Sequence, residues 1–427
     1  MPKILIISHN SLSTYQNMGK TLLSLIEFFP PDEVCQFYIY PTIPNVDKCN
    51  SYFRITDKDV LRSYCTFRVK GKRIEPNKTQ NEQFENAEDE KLYRNPKNKK
   101  SSVMLARDLM WKCSRWYNAD LKSWLAEQKP DCILAAPGGA MFLYDIALEI
   151  SRDLRIPIVS YHCDEYYFVQ ETRRFWRRER LKLLKKKIEE YMGETAHVIT
   201  ICDEMKDLYT SRFHRPVTTI MTGSSFPISE RIHVTNTPTS ITYLGNIRCN
   251  RYKSIAEIGR ALAEINNEDG TDYCINIYTG EKDKQILNTF KGIETVRLKG
   301  FVSGKEFYDT LHNADFLLHT ESFEDACIEA VRNSISTKIA DSLGSGIPLI
   351  AYGPACIASM GHLIRNDCAI AITSKEELKS SLRRAFADKE LREEKARNGL
   401  STAMKYHEPG ICAEKVKKVI ESVTAQR

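Results

Sequence analysis

The 427-residue sequence has no apolar run long enough to cross a membrane, no C-x-x-C pair and no zinc-ligand spacing. Its longest strongly apolar runs, such as Ile4 to Ile7, fall far short of the ~20 residues that a spanning helix needs. The N-terminus lacks the apolar core and the cleavage site of a secretory signal. We therefore expect a cytoplasmic protein.

Cysteine usage and nucleotide signatures exclude further classes. The 13 cysteines are scattered and odd in number, which argues against a disulfide scaffold. Cys132, Cys202 and Cys274 fall in apolar, strand-like stretches, so we expect reduced, buried side chains. No G-x-G-x-x-G follows a predicted strand, and the Gly-Lys-Thr at 19–21 lacks the glycine that a P-loop needs at Thr14.

The charge balance is mildly basic. A net charge of +6 does not indicate nucleic-acid binding by itself, but it suits a protein that handles phosphorylated ligands or rests near an anionic membrane. With 42% hydrophobic and 28% charged residues, the composition is that of a soluble globular enzyme. The chain length predicts two or three domains.

Strand and helix patterns alternate along both halves of the chain, which predicts α/β domains with doubly wound parallel sheets. In the first half, helices are predicted near 18–29, 101–128, 142–152, 173–192 and 203–213, and strands near 3–7, 131–136, 156–161 and 197–201. In the second half, helices are predicted near 254–265, 304–313 and 337–344, and strands near 241–245, 273–278, 296–300, 314–319 and 347–351.

Composition changes suggest the domain boundaries. Gly, Pro, Ser and Thr cluster at 222–240, which predicts a linker between a first domain at 1–225 and a second at 238–403. Residues 45–100 are polar and are interpreted as an insertion or long surface loop. A final helix at 404–427 is expected to pack back on the first domain. Two such domains leave a cleft at the carboxyl ends of their strands, where ligands bind.

The segment beginning at Ser336 carries the strongest functional signal. Ser336 or Thr337 is expected to cap a helix, where free backbone N–H groups and the positive end of the helix dipole attract phosphate. Lys338 adds a full charge at the same end, and Asp341 follows one turn later, positioned to accept hydrogen bonds from ribose hydroxyls. The alternative is an ordinary capped helix with surface charges.

A glycine turn with three cations forms a second candidate site. Gly245 and Asn246 follow a predicted strand directly, and Arg248, Arg251 and Lys253 come next. Cations at the carboxyl end of a strand suit a diphosphate. The alternative is a solvated basic turn.

At this point the sequence resembles a known family. Asp341, followed by Gly346, Pro348 and apolar residues, resembles the nucleotide-sugar end of family-4 glycosyltransferases, which are retaining enzymes of the GT-B fold. The likeness extends from about residue 130 to 420 and is weak from 40 to 125. The resemblance implies two Rossmann-like domains facing an interdomain cleft, a nucleoside diphosphate sugar of the UDP type as donor, and no metal or other cofactor.

The family's paired acids depart from their usual spacing here. Two acids separated by seven residues are usual, and Glu321 and Glu329 have that spacing. Counting back from Gly346, however, the second acid is Asp341, and the first position is then Asn333. The resemblance therefore implies that the acid contacting the donor sugar comes from the preceding loop, as Glu321 or Glu324, with Glu321 preferred.

The resemblance also implies contacts from the first domain. The family often places a histidine in the loop that holds His162, facing the donor sugar. Asn10, Gly138, Gly139 and Asp164 are expected to face the same cleft and contact the acceptor. With His162, the residues predicted to be catalytic are Arg251, Glu321 and Lys338.

The run at 173–187 holds nine cations interleaved with apolar residues. It suits a helix lying on anionic lipid headgroups, or equally a solvated helix that packs its apolar face on the domain. Nucleic acid is disfavoured, because no stacking platform accompanies the cations.

Together these patterns predict a cytoplasmic, peripherally membrane-associated glycosyltransferase. It would move a sugar to a hydroxyl of a glycan or glycolipid with retention of configuration, in surface polysaccharide or glycolipid synthesis. Two alternatives remain open: a nucleotide-sugar epimerase of the same architecture, and a non-catalytic basic adaptor on membranes or nucleic acid.

Overall fold

A computed structural model describes residues 1–14, 17–77, 84, 90, 93, 100–170 and 174–425. The chain divides into two compact units. Unit 1 contains Met1–Met221 and Cys412–Arg427, and unit 2 contains Thr222–Ile411. The stretch at 222–240 that predicted a linker thus lies within unit 2.

Unit 1 is built on an eight-stranded sheet whose order is β4-β3-β2-β1-β5-β6-β7-β8. All neighbouring strands are parallel except β3 and β4. The strands are β1 Ile4–Ser8, β2 Val34–Tyr38, β3 Ser51–Arg54, β4 Lys72–Ile74, β5 Cys132–Ala136, β6 Ile158–His162, β7 Thr195–Thr200 and β8 Val217–Thr219.

Helices cover this sheet. They are α1 Asn17–Leu25, α2 Asp57–Thr66, α3 Ser101–Lys112, α4 Ala119–Gln128, α5 Met141–Leu154, α6 Phe175–Glu194 and α7 Asp203–Phe213, with a short 3₁₀ turn at Pro31–Glu33. The last helix of the chain, α16 (Pro409–Thr424), places Cys412, Val416 and Ile420 in the core of unit 1.

The prediction of an insertion at 45–100 is wrong for its first part. Residues 51–74 supply β3, α2 and β4, and β3 pairs with β2 inside the main sheet. A capping box fixes the start of α2, because Thr56 accepts from the Asp59 N–H while the Asp59 carboxylate accepts from the Thr56 N–H. Most of 78–99 lies outside the described residues.

Unit 2 contains a six-stranded, all-parallel sheet in the order β11-β10-β9-β12-β13-β14. Its strands are β9 Ser240–Leu244, β10 Cys274–Tyr278, β11 Val296–Gly300, β12 Phe316–Thr320, β13 Leu349–Tyr352 and β14 Ile370–Ile372. Its helices are α8 Arg251–Asp269, α9 Lys284–Leu287, α10 Gly304–His312, α11 Asp325–Val331, α12 Lys338–Gly344, α13 Ala358–Arg365, α14 Leu378–Ala387 and α15 Lys389–Tyr406, with a 3₁₀ turn at Asn288–Phe290.

The strand order of unit 2 puts a topological switch point between β9 and β12. The first strand, β9, lies between β10 on one side and β12 on the other, so the connections that leave these strands run in opposite directions. This opens a crevice at the carboxyl ends of both strands, where doubly wound sheets bind ligands. The loops that begin at Gly245 and at Glu321 leave the sheet at this point.

Several smaller predictions can be compared with the structure. The helix predicted at 101–128 is two helices, interrupted at 113–118, with Asn118 capping the second. Cys132, Cys202 and Cys274 are buried and free, as expected. Among the described residues, no helix is both long enough and apolar enough to cross a membrane.

Candidate functional site

A cavity of about 40 Å³ opens at the switch point of unit 2. Four residues singled out in the sequence line it: Arg251, Glu321, Ser336 and Lys338. They come from three separate segments: the start of α8, the loop after β12 and the start of α12. The parallel sheet therefore brings together side chains that are up to 87 positions apart in the sequence.

Arg251 and Glu321 form a two-point ion pair. Arg251 donates from Nε to Oε2 of Glu321 at 2.9 Å and from Nη2 to Oε1 at 2.8 Å. The Glu321 side chain is only 4% exposed. Burial acts to lower the pKa of Arg251, but the Glu321 carboxylate outweighs it and the pKa is raised.

Lys338 differs from Arg251 because no carboxylate in the described part of the chain lies within 4 Å of its Nζ. Burial, and then the nearby Arg251, lower its pKa from 10.5 to about 8, while Glu321 acts in the opposite direction. The ammonium also lies 5.7 Å from the centre of the Tyr243 ring. The cavity thus holds a partly buried cation with no acid partner among the described residues.

Gly245 makes room for this cation. A Cβ at Gly245 would lie 1.5 Å from Nζ of Lys338, and the backbone there has φ +134°, which L side chains rarely adopt. Any side chain at this position would displace the lysine. The glycine turn identified in the sequence therefore leaves space for the ammonium of Lys338, which is 93 positions away.

Two of the predicted cations do not line the cavity. Arg248 pairs with Glu281 at 2.7 Å and Lys253 pairs with Glu324, and both cations are about half exposed or more. The Asn246 side chain bonds within its own loop, because its oxygen accepts a hydrogen bond from the Arg248 N–H. The predicted cluster of three cations is therefore split, and Arg251 alone faces Lys338.

The start of α12 differs from the expected cap. Thr337 occupies the N-cap position with helical angles (φ −58°, ψ −22°), and its side chain makes no capping hydrogen bond. A cap needs extended angles to aim its oxygen at the helix N–H groups, so that prediction is wrong for Thr337. Ser336 lines the cavity instead and accepts the Ile339 N–H through its backbone carbonyl.

Asp341 lies buried on α12, one turn after Lys338. Its Oδ1 accepts hydrogen bonds from the Ser225 N–H at 2.6 Å and from the Ser224 hydroxyl at 3.3 Å. The carboxylate thus anchors residues 224–225 against α12. Its predicted contact with a ribose stays a prediction.

The residues predicted in unit 1 lie at the carboxyl ends of β1, β5 and β6. Gly138 has φ +59° and accepts from the Tyr144 hydroxyl at 2.7 Å, and Gly139 accepts from Arg180. Asn10 accepts from the Ser8 hydroxyl through its backbone, and Asp164 is exposed.

His162 is 2% exposed and shares a hydrogen bond with the Ser160 hydroxyl at 2.8 Å. Burial lowers its pKa to about 3, so the ring is neutral. Its predicted role toward a donor sugar stays a prediction.

A buried polar network beside these loops was missed from the sequence. Asp57 accepts from Arg107 at 2.9 Å and from the Trp111 indole at 2.7 Å, and Arg107 donates to Nε2 of His9 at 3.1 Å. Burial and the Arg107 charge lower the pKa of His9 to about 4. Asp57, Arg107 and His9 lie far apart in the sequence and share no motif.

A second buried pair, between Arg180 and Asp108 at 3.1 Å, was also missed. The burial of Arg180 could have been predicted from the sequence. Arg180 recurs with the buried positions Leu184, Ile188 and Tyr191 at helical spacing, which places it on the inner face of α6. In the basic run at 173–187, Phe175 and Trp176 are more than half exposed, and Arg173 lies outside the described residues.

His319 is a further cavity residue that the sequence analysis passed over. It lies near the end of β12, and its Nε2 lies 3.1 Å from the Ser359 hydroxyl and 3.9 Å from Oε1 of Glu321. Burial, which outweighs the opposing effect of Glu321, lowers its pKa to about 4, so His319 adds a neutral hydrogen-bonding group. In the described parts of the chain, no group of three or more His, Cys, Asp or Glu side chains could hold a metal ion.

Comparison by sequence finds no family model and no curated protein that matches this chain. Comparison by structure finds several solved structures that match it. Sucrose-phosphate synthase from Thermosynechococcus elongatus aligns over 100% of both chains with a TM-score of 0.64 and 12% identity. HepE from Anabaena, in a complex with UDP and glucose, aligns over 99% of this chain and 100% of its own, with a TM-score of 0.62 and 12% identity.

A third solved structure, α,α-trehalose 6-phosphate synthase from Burkholderia multivorans, covers 100% of this chain and 98% of its own, with a TM-score of 0.62 and 10% identity. At these identities the likeness concerns the fold. Together with the two parallel-sheet units, it shows that this protein has the GT-B fold.

Proposed function

We propose that this protein is a glycosyltransferase that uses a nucleoside diphosphate sugar of the UDP type as donor. The observation that carries the proposal is that Arg251 and Lys338 line one cavity at the switch point of unit 2, where Lys338 has no acid partner among the described residues. Two cations beside the carboxyl ends of β9 and β12 suit a diphosphate, since charge-assisted hydrogen bonds from Arg and Lys are the usual means of holding phosphate oxygens.

The same cations explain the chemistry that the site would perform. Negative charge grows on the diphosphate as the bond to the sugar breaks, and Arg251 and Lys338 are held where they would stabilise it. Glu321 and His162 would contact the sugar, and Asp341 the ribose. Following the family-4 resemblance, we propose retention of configuration and catalysis that needs no metal.

Solved structures of similar fold support the donor class. The HepE structure contains UDP and glucose, and a trehalose-phosphate synthase from Burkholderia xenovorans, whose structure matches with a TM-score of 0.61, is UDP-forming. We infer that the donor of this protein also binds to its second unit, because the cavity with the unpaired cation is there.

For the acceptor we propose a hydroxyl of a glycan or glycolipid, in surface polysaccharide or glycolipid synthesis. Asn10, Gly138, Gly139 and Asp164 would line its site at the carboxyl edge of the unit 1 sheet. A lipid-linked acceptor would agree with a peripheral location on the cytoplasmic face of a membrane, where the exposed Phe175 and Trp176 of α6 and their neighbouring arginines would meet anionic headgroups.

A thermal-shift panel of nucleoside diphosphates and their sugars tests the donor assignment. We expect one UDP-sugar to raise the melting temperature of the wild-type protein strongly, since a ligand that binds only the folded state stabilises it. Arg251→Met should abolish the shift. Arg383→Met is the matched control, because Arg383 pairs with Glu268 and Asp269 on the surface of unit 2.

Transfer to an acceptor would then be assayed with that donor in excess chelator, where full activity is expected. If no nucleotide shifts the melting temperature, or if Arg251→Met and Arg383→Met respond alike, the donor site is misassigned. Isomerisation of the nucleotide sugar in the absence of any acceptor would instead identify an epimerase.

A further inference from the structure

The ion pair between Arg251 and Glu321 occupies the cavity in which the diphosphate is proposed to bind. Glu321 uses both carboxylate oxygens on Arg251, and the two side chains are 4% and 20% exposed, respectively. Lys338 lines the same cavity, so the pair lies where the diphosphate is proposed to bind. A diphosphate that takes the two Arg251 donors now used by Glu321 therefore requires this pair to open.

The backbone around Glu321 is fixed, so the movement falls to the side chain. The Ser254 hydroxyl donates to the Glu321 carbonyl at 2.9 Å. A Cβ on Gly353 would lie 3.1 Å from the Glu321 Cβ, which shows how closely the two segments pack. The carboxylate is the group free to turn away from Arg251.

We propose that Glu321 determines donor specificity by competing with the diphosphate for Arg251. This inference rests on the proposed function. A diphosphate that takes the Arg251 donors displaces the Glu321 carboxylate, and Lys338 is drawn to the same phosphate oxygens. The freed carboxylate then has no cation, and a buried charge without hydrogen-bond donors is costly. Only a ligand that also carries sugar hydroxyls supplies those donors.

The consequence is a preference for the intact sugar nucleotide over the free nucleoside diphosphate. A free nucleoside diphosphate gains Arg251 but leaves Glu321 unsatisfied, whereas the sugar nucleotide satisfies both. After transfer, the sugar hydroxyls are gone, so Glu321 returns to Arg251 and promotes release of the product. One carboxylate would thus favour substrate binding and product departure.

Isothermal titration of UDP and UDP-glucose into the full-length protein tests this competition. Glu321→Gln removes the competing charge and keeps the shape of the side chain. We expect this variant to bind UDP about tenfold more tightly than the wild type, and its preference for UDP-glucose over UDP to fall by about the same factor, a tenfold change being 1.4 kcal/mol.

Glu281→Gln is the matched control. Glu281 forms the same two-point pair with Arg248, and its side chain is also 4% exposed, but it does not line the cavity. We expect this variant to bind both ligands as the wild type does. Melting temperatures of both variants confirm that each is folded.

The outcomes separate the two proposals. If the wild type binds UDP-glucose but Glu321→Gln binds UDP equally or more weakly, the competition is refuted while the donor assignment stands. If the wild type binds neither ligand, the assignment of a UDP-type donor fails, and this inference fails with it.

Discussion

The carboxyl edges of the two sheets differ in whether their cations have acid partners. In unit 1, Arg107 pairs with Asp57 and Arg180 pairs with Asp108, so each of these two arginines has an acid partner. In unit 2, Arg251 has Glu321, but Lys338 has no acid of its own among the described residues.

This difference assigns separate tasks to the two edges. A balanced set of charges is a rigid structural element, whereas a buried surplus cation costs stability and attracts an anion. The neutral state of His9 and His162 keeps the unit 1 edge free of additional positive charge. We therefore expect the anionic end of the donor at unit 2, and hydroxyl groups at unit 1.

The largest expected effect contrasts Arg107→Met with Lys338→Met. Removing Arg107 leaves the Asp57 carboxylate buried without its cation, which should lower the free energy of unfolding by about 3–5 kcal/mol. Removing Lys338 relieves an unpaired buried charge, and it should raise the free energy of unfolding by about 1–3 kcal/mol, because each unit of its lowered pKa corresponds to ~1.4 kcal/mol.

Urea unfolding followed by circular dichroism measures both changes. Lys338→Met should gain stability while losing nucleotide binding, a trade-off typical of a functional site. The contrast between the two edges breaks down if both variants lose stability to the same extent.

The second effect concerns the space that Gly245 leaves for Lys338 in unit 2. Gly245→Ala places a Cβ where Nζ of Lys338 now lies, and should reduce transfer by about 100-fold, as expected when a reacting group is misplaced by an ångström or more. Gly270→Ala is the control, because Gly270 also has a positive φ of 66° but no atom within 4 Å of its Cβ.

Gly270→Ala carries only the backbone cost of about 1–2 kcal/mol. Steady-state kinetics with the donor from the thermal-shift panel would compare the two alanine variants. Equal losses of activity would mean that backbone strain, and not the displacement of Lys338, accounts for the effect.

The smallest effect is a pH dependence that belongs to unit 2. In the free protein Lys338 loses its proton as the pH rises through about 8, so the affinity for UDP should fall roughly tenfold between pH 7.5 and 9. The unfolded chain holds this proton up to about pH 10.4. The stability cost of Lys338 is therefore complete below pH 8 and disappears as the pH rises above it.

Lys338→Arg should bind UDP with an affinity that is flat across this range, because a guanidinium keeps its proton. Titrations at several pH values provide the measurement. A wild-type affinity that does not change up to pH 9.5 would show that Lys338 is not the anion-binding group.

The sequence predicted the strands of the second unit better than those of the first. Each strand of unit 2 up to β13 was foreseen, because these strands are short apolar runs separated by clear helical patterns. In unit 1, β2, β3, β4 and β8 were missed. The strand Ser51–Arg54 has only four residues and ends in an arginine, so its burial depends on neighbours that no local pattern reveals.

The site was predicted in the same uneven way. Arg251, Glu321 and Lys338, which the sequence analysis singled out, line one cavity, since strand ends and helix starts meet at the carboxyl edge of a parallel sheet. Their catalytic roles stay predictions. Arg248 and Lys253, which the sequence analysis grouped with Arg251, do not line this cavity, and Glu281 and Glu324 engage their side chains. Their predicted contact with the donor stays a prediction.

The sequence by itself determined which residues reach the carboxyl edges, because strand and helix periodicity fix where each loop leaves the sheet. Only the tertiary structure decided which of the cations there keeps an acid partner. Arg251 and Glu321 are 70 positions apart, and Lys338 and Gly245 are 93 apart. The charge left over in a buried site depends on such contacts, since electrostatic energy is set by distance and burial rather than by order along the chain.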